Sequence, residues 1–356
     1  MKFKLIVIGL LLAIAAVVSG CNAQEKASSS PKTTANAPKE TDQLKIYTTL
    51  YPLTFFAKEI GGDYVDVESI ITSGADAHTY EPTTKQMIHI AEADLFIYNG
   101  LGMESYAEKI AEALKNEDTV MLEASHGVDA INHSHSHNNE QHASNGHETS
   151  KDNEDSVEPE HEGADHQIQE ESEHEEDHAH EHGDFDPHVW LDPYRSITLA
   201  ENIKDTLIDL KPEAKADFEN NFNTLVSNLE KLDEEFHQLV ATKSDPKMIV
   251  SHAGYGYWEE SYGIKQIAVS GLSPTNEPSQ KDLEEIIKIA SHEQIKYIIY
   301  EQNITPKVAD VIREEIKAEP LRLHNLAVLT DEDVKNKEDY FSLMRKNIEI
   351  LKIALK

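Results

Sequence analysis

Leu44-Lys45-Ile46-Tyr47-Thr48-Thr49-Leu50 is a β-rich run, and the apolar residues from Leu53 to Ile60 that follow it recur at helical spacing before Gly61-Gly62 ends the segment. The same alternation continues outward. Val65 to Ile71 reads as a strand and Thr83 to Ala93 as a helix. Leu95-Phe96-Ile97-Tyr98 is a strand, Met103 to Leu114 a helix and Thr119 to Leu122 a strand. Strands separated by helical segments imply βαβ crossovers and therefore a parallel sheet. Further along, Lys247 to Ser251, Lys265 to Val269, Lys296 to Tyr300 and Leu326 to Leu329 repeat the pattern, with helices at 279–290, 306–317 and 338–355. The expected fold class is α/β: two lobes, each a parallel four-stranded sheet flanked by helices. The N-terminal lobe is placed at 44–193 and the C-terminal lobe at 246–356.

The connection, 194–245, is helical. Pro212 suits a first helical turn. From there Phe218, Phe222, Leu225, Leu229, Leu232, Phe236 and Leu239 recur by fours and threes as one apolar stripe. This predicts a long helix over 212–242. A coiled-coil dimer would use the same stripe. A single helix packed along both lobes fits better, because complete α/β patterns flank it, and such a spine resists hinge bending.

Two segments lie outside the globular pattern. At the start, Lys2 and Lys4 precede an apolar run from Leu5 to Val18 that is too short to span a membrane. Val18-Ser19-Gly20-Cys21 then resembles a bacterial lipobox, so residues 1–20 are expected to be a signal peptide and Cys21 the lipidated residue. One cysteine in the chain leaves no intramolecular disulfide. Residues 21–43, rich in Ser, Thr, Lys, Ala and Pro, read as a flexible tether on the outer face of the cytoplasmic membrane.

The second segment is residues 132–184, which hold most of the chain's 19 histidines among acidic residues. With almost no apolar side chains it is expected to be a disordered loop. His133, His135, His137, His174, His178, His180 and His182 would form a soft, secondary net for divalent metal. A solvated acidic linker is the alternative, but acidity alone does not call for histidine. The formal net charge of −34 excludes nucleic acid as a partner and favours cations.

In an α/β lobe, ligand groups gather in loops leaving the C-terminal ends of strands. Three candidate ligands occupy that position: His78 in Ala77-His78-Thr79-Tyr80-Glu81-Pro82, His252 in Ser251-His252-Ala253-Gly254-Tyr255, and Glu301 after Ile298-Ile299-Tyr300. The fourth, His188, lies in Asp186-Pro187-His188-Val189-Trp190-Leu191-Asp192-Pro193, where the fold resumes after the histidine tract. Three imidazoles and a carboxylate make a roughly tetrahedral N3O set suited to Zn²⁺, two ligands from each half. All three imidazoles must be neutral to bind, so affinity is expected to fall as pH drops through roughly 6 to 5. His89, His237, His292 and His324 read as surface residues, and Asp192 as a helix N-cap. A zinc hydrolase would need an HExxH-type helix or a nearby general base. The chain shows neither, so no catalytic residue is expected and the protein is read as a non-enzyme.

Together, Val18-Ser-Gly-Cys21, His78-Thr-Tyr-Glu-Pro82, Asp186-Pro-His-Val-Trp-Leu-Asp-Pro193, Ser251-His-Ala-Gly-Tyr-Gly-Tyr257 and Tyr300-Glu301 resemble the metal-binding substrate-binding proteins of bacterial ABC importers. Among these the chain is most similar to the zinc lipoproteins of the ZnuA and AdcA type. The resemblance runs from Leu44 to the C-terminus. It implies two α/β lobes joined by a rigid helix, one ion in the interlobe cleft, and docking of a monomer on a membrane permease with its ATPase. By matching motif, His78, His188 and His252 would be the imidazole ligands, with Glu301 fourth or sharing that place with a water. Manganese-type relatives place a carboxylate at the position of His252, so histidine there favours zinc. Asp331, in Asp331-Glu332-Asp333, is another candidate for the fourth place. A manganese carrier, and a zinc-buffering or adhesive surface lipoprotein without a transporter, are the alternatives.

Overall fold

The computed structural model describes residues 43–115, 117–132 and 185–356. The signal peptide, Cys21, the tether up to residue 42 and the histidine tract with His133, His135, His137, His174, His178, His180 and His182 lie outside the described residues. The first sheet comprises β1 (Leu44–Thr48), β2 (Val65–Ser69), β3 (Leu95–Tyr98) and β4 (Val120–Glu123), interleaved with α1 (Tyr51–Gly61), α2 (Thr84–Ala91) and α3 (Ala107–Leu114). All its pairings are parallel, in the order β2-β1-β3-β4. A 3₁₀ turn at Val189–Leu191 leads to α4 (Ser196–Leu210), and a second at Pro212–Ala214 leads to α5 (Lys215–Val240). The second lobe repeats the plan: β5 (Lys247–His252), α6 (Gly256–Tyr262), β6 (Lys265–Ser270), α7 (Gln280–His292), β7 (Tyr297–Glu301), α8 (Lys307–Ile316) and β8 (Glu319–Leu323), parallel in the order β6-β5-β7-β8. Helices α9 (Asp331–Asn336) and α10 (Tyr340–Ala354) close the chain.

The α/β reading therefore holds, with two corrections. The long helix begins at Lys215, because Pro212 and the next two residues form a separate 3₁₀ turn. The fourth strand of the second lobe is β8, not Leu326 to Leu329. β8 hides in the sequence because it is an edge strand carrying Pro320 and Arg322, with mostly exposed side chains. The apolar run 326–328 is buried, but without strand pairing in the sheet.

Helix α5 has 26 residues and so spans about 39 Å at 1.5 Å per residue. Phe218, Leu225, Leu229, Leu232, Phe236 and Leu239 are buried within this one chain, which uses up the stripe a coiled coil would need. Its first half meets the first lobe, where Tyr64 Oη donates to Asp217 at 2.7 Å and Asn221 to Ile60 O at 3.0 Å. Its second half meets the second lobe: Tyr262 Oη donates to Asp233 at 2.8 Å, and Phe236 stacks 4.9 Å from Tyr262. One hydrophobic cluster runs without a break from Ile46 and Leu53 through α5 to Val250, Trp258 and Leu351. Backbone bonds add to it. Tyr51 N donates to Ala327 O at 2.9 Å and Gly74 N to Leu329 O at 3.0 Å, so the segment after β8 is stitched onto the first lobe.

Candidate metal centre

Both sheets reverse their strand order beside their first strand, and a crevice opens outside the carboxyl ends of strands at such a point. In the second lobe the reversal lies between β5 and β7. Val250 pairs with Ile299, so two residues on, the last residue of β5, His252, stands opposite the last residue of β7, Glu301. Both are 1% exposed.

His78 belongs to the long segment between β2 and α2. Asp76 shapes its turn, accepting from His78 N and Thr79 Oγ1 at 3.0 Å each, while Tyr80 Oη ties the segment back to Ile70 O at 2.6 Å. His188 immediately precedes the 3₁₀ turn Val189–Leu191. Asp186 Oδ1 accepts from both its backbone N (3.0 Å) and its ring Nδ1 (2.7 Å). That pairing assigns the proton to Nδ1 and leaves Nε2 as a bare lone pair facing the cleft. The sequence reading gave His188 to the N-terminal half, but both lobes clasp its segment. Asn99 Nδ2 donates to Pro187 O (3.0 Å) from the first. From the second, Tyr257 Oη donates to Asp186 O (2.7 Å) and Trp258 Nε1 to Leu191 O (2.6 Å), and Trp190 Nε1 reaches Asn325 O (2.8 Å).

These elements bring three imidazole edges to one place. His188 Nε2 is 3.2 Å from His78 Nε2 and 3.3 Å from His252 Nε2. His78, His188 and His252 are the one group of three or more potential ligand residues converging within 4.8 Å among the described residues. Burial and the two neighbouring imidazoles push His78 down to about 2, so it is held neutral. Gly254 makes the close approach possible: a Cβ there would stand 2.8 Å from His252 Nε2 and 3.5 Å from His188 Cδ2.

Glu301 stands beside this group rather than within it. Its Oε1 is 2.9 Å from His252 Nδ1, within hydrogen-bond distance, and the Asn325 side chain is a further neighbour. Burial raises the carboxyl's proton affinity, yet the facing imidazole overrides this and leaves the group below its usual range. Asp331 lies exposed on the first turn of α9. His324, expected at the surface, is buried. Its Nδ1 accepts from Leu326 N at 2.9 Å and its Nε2 lies 3.0 Å from Asp333, which anchors the segment stitched to the first lobe. Tyr257 and Trp258 pack the lobe and also position the His188 segment. Sequence reasoning passed over Asp186 and Asn99. An aspartate two residues before a histidine is a legible turn signal for the first; the second acts across 88 residues and leaves none.

The family described as ZnuA, zinc-uptake complex component A periplasmic, matches residues 46–354. The chain belongs to this family. It is 30% identical to the high-affinity zinc uptake system protein ZnuA of Bacillus subtilis (strain 168), over 95% of this chain and 96% of that protein. It is 32% identical to the zinc-binding lipoprotein AdcA of Streptococcus pneumoniae (strain ATCC BAA-255 / R6), over 89% of this chain and 57% of the relative. The chain thus spans little more than half the length of the AdcA proteins it matches. The crystal structure of the Zn(II)-bound ZnuA-like domain of S. pneumoniae AdcA superposes with a TM-score of 0.65 at 30% identity, covering 88% of this chain and 99% of that one.

Proposed function

We propose that this chain is the extracytoplasmic zinc-binding component of an ABC importer, which captures Zn²⁺ in the interlobe cleft and hands it to a permease driven by its ATPase. His78, His188 and His252 are the imidazole ligands in this reading, and Glu301 supplies the fourth place or shares it with water. One observation carries it. Zinc–nitrogen bonds of about 2.0–2.1 Å in tetrahedral array set ligand atoms about 3.3 Å apart, and the ring nitrogens stand at 3.2 and 3.3 Å. Three nitrogens suit zinc better than a hard, oxygen-seeking ion such as manganese. The names of the relatives point the same way. The protein acts as a monomer held by a lipid on Cys21 at the outer face of the cytoplasmic membrane, and it binds rather than transforms its cargo. The histidine tract is an accessory collector.

The test is a competitive titration of the mature chain, whole and lacking residues 132–183, with Zn²⁺ and Mn²⁺ against a chelator of known affinity. One tight zinc that survives the deletion and resists manganese is the expected result. Loss of tight binding with the tract, or preference for manganese, overturns the assignment.

A further inference from the structure

His78 is the partly exposed member of the three imidazoles, whereas His188 and His252 are 1% exposed. The turn that carries it is local, since both Asp76 bonds close within three residues. Bringing its ring against ligands of the other lobe needs an attachment that crosses the cleft. Gly74, four residues before His78, is met from the second lobe at both of its backbone groups. Its N donates to Leu329 O at 3.0 Å, and its O accepts from Asn303 Nδ2 at 3.2 Å. The same amide donates to Ala75 O at 3.4 Å, so one side chain spans two consecutive carbonyls. Only the NH₂ end of an asparagine can do this, which fixes the orientation of the amide.

Asn303 stands two residues beyond Glu301, in the loop that leaves β7. That loop is itself braced. Gln302 Nε2 donates to Asn325 Oδ1 at 2.8 Å, Gln302 Oε1 accepts from Asn325 N at 2.9 Å, and Arg322 Nη2 donates to Thr305 Oγ1 at 2.9 Å. The amide is thus presented to the His78 segment from a fixed base. We propose that Asn303 is a positioning residue for the bound ion: it keeps the His78 segment seated on the second lobe, where His78 completes the set begun by His188, His252 and Glu301. The inference rests on the ligand assignment made above. A ligand already held in place loses less entropy on binding than one that must first be ordered. Asn303 supplies that order to His78 without touching the ion, and its effect falls on how long the ion stays rather than on how fast it arrives.

The test compares the whole mature parent chain with Asn303→Ala, His78→Ala and the double variant. Zinc dissociation is followed by stopped flow into excess chelator, and affinity by chelator competition. Amide hydrogen exchange over residues 72–79 and thermal melts are measured on the metal-free proteins. In Asn303→Ala, zinc is expected to leave about threefold to tenfold faster, the scale of one neutral hydrogen bond. Exchange over 72–79 should quicken while the melt stays close to the parent's. In the His78→Ala background the same change should leave zinc affinity where it was. An unchanged dissociation rate overturns the inference, as does faster release without faster exchange over 72–79. An equal effect in both backgrounds also overturns it, because Asn303 would then act through Glu301, two residues away. A parent that binds no zinc tightly overturns the proposed function and this inference together; a parent that binds zinc and a variant that releases it no faster overturn this inference alone.

Discussion

Gly254→Ala separates the metal centre from the fold that carries it. Gly254 has no backbone conformation that an L-residue avoids, so alanine meets no dihedral strain there. Its cost comes from what the new methyl touches: His252 Nε2 at 2.8 Å, His252 Cε1 at 3.0 Å and His188 Cδ2 at 3.5 Å. Restoring ordinary contact at 3.4 Å needs a movement of 3.4 − 2.8 = 0.6 Å, and the ring that must yield is one of the three converging imidazoles. Binding sites hold their geometry to about 0.5 Å, so the displacement exceeds the tolerance. Overpacking of this kind costs about 1–3 kcal/mol, or roughly fivefold to 150-fold in affinity. A glycine-to-alanine change that fits stabilises by about 0.4–1 kcal/mol through the unfolded chain, so the metal-free protein should melt close to the parent. Chelator competition and metal-free melts measured side by side would show this. Zinc affinity unchanged from the parent would refute the claim that Gly254 admits the close packing of His252 and His188.

Asp186→Asn removes the charge that holds His188 with its proton on Nδ1, and zinc affinity should fall about tenfold to a hundredfold in the same competition assay. His188→Ala removes a ligand outright and should weaken zinc by several orders of magnitude in calorimetric titration. Deleting residues 132–183 should lower the number of zinc ions bound per chain while leaving the tightest one in place, as read by equilibrium dialysis. For pH, His78 is held neutral at about 2, whereas unfolded it takes up a proton below about 6.5. Its contribution is therefore full above that value and is lost as pH falls from 6.5 toward 2. The metal-free protein should lose about 1–2 kcal/mol of stability by pH 5 on this account. His78→Gln should flatten the dependence of melting temperature on pH between 7 and 5. Proton competition at His78 itself is displaced well below the window of 6 to 5 expected of an ordinary histidine.

Both sheets were legible because each inner strand is a short apolar run bounded by a helix or a turn, and Lys247–His252 and Tyr297–Glu301 needed nothing more. The edge strand Glu319–Leu323 was not, since its residues satisfy an edge rather than a core. Leu326, Ala327 and Val328 misled for the converse reason. They are apolar because they lie buried in a segment bonded to the first lobe, and no local pattern encodes a partner so distant in sequence. At the candidate centre the four residues stood out because they follow strands or close a motif. Their supports did not. Asn99, Trp190 and Tyr257 act through hydrogen bonds across 88, 135 and 71 residues, and such contacts exist only after folding. His324 was misplaced because a histidine between Leu323 and Asn325 looks the same whether or not an aspartate waits nine residues on.

Among the described residues, the stem flanking 133–184 holds an antiparallel contact, Asn132 opposite Phe185, backed by a bond from Asp186 N to Ile131 O at 2.9 Å. The two ends are joined by the fold itself, so the length of what lies between is close to a neutral variable. Evolution can lengthen, shorten or rewrite such a cassette without retuning His188, three residues beyond the stem. A protein engineer can use the same port, exchanging the tract for a fluorescent reporter or an affinity handle, with Asp186 and His188 marking the boundary beyond which the exchange must not reach.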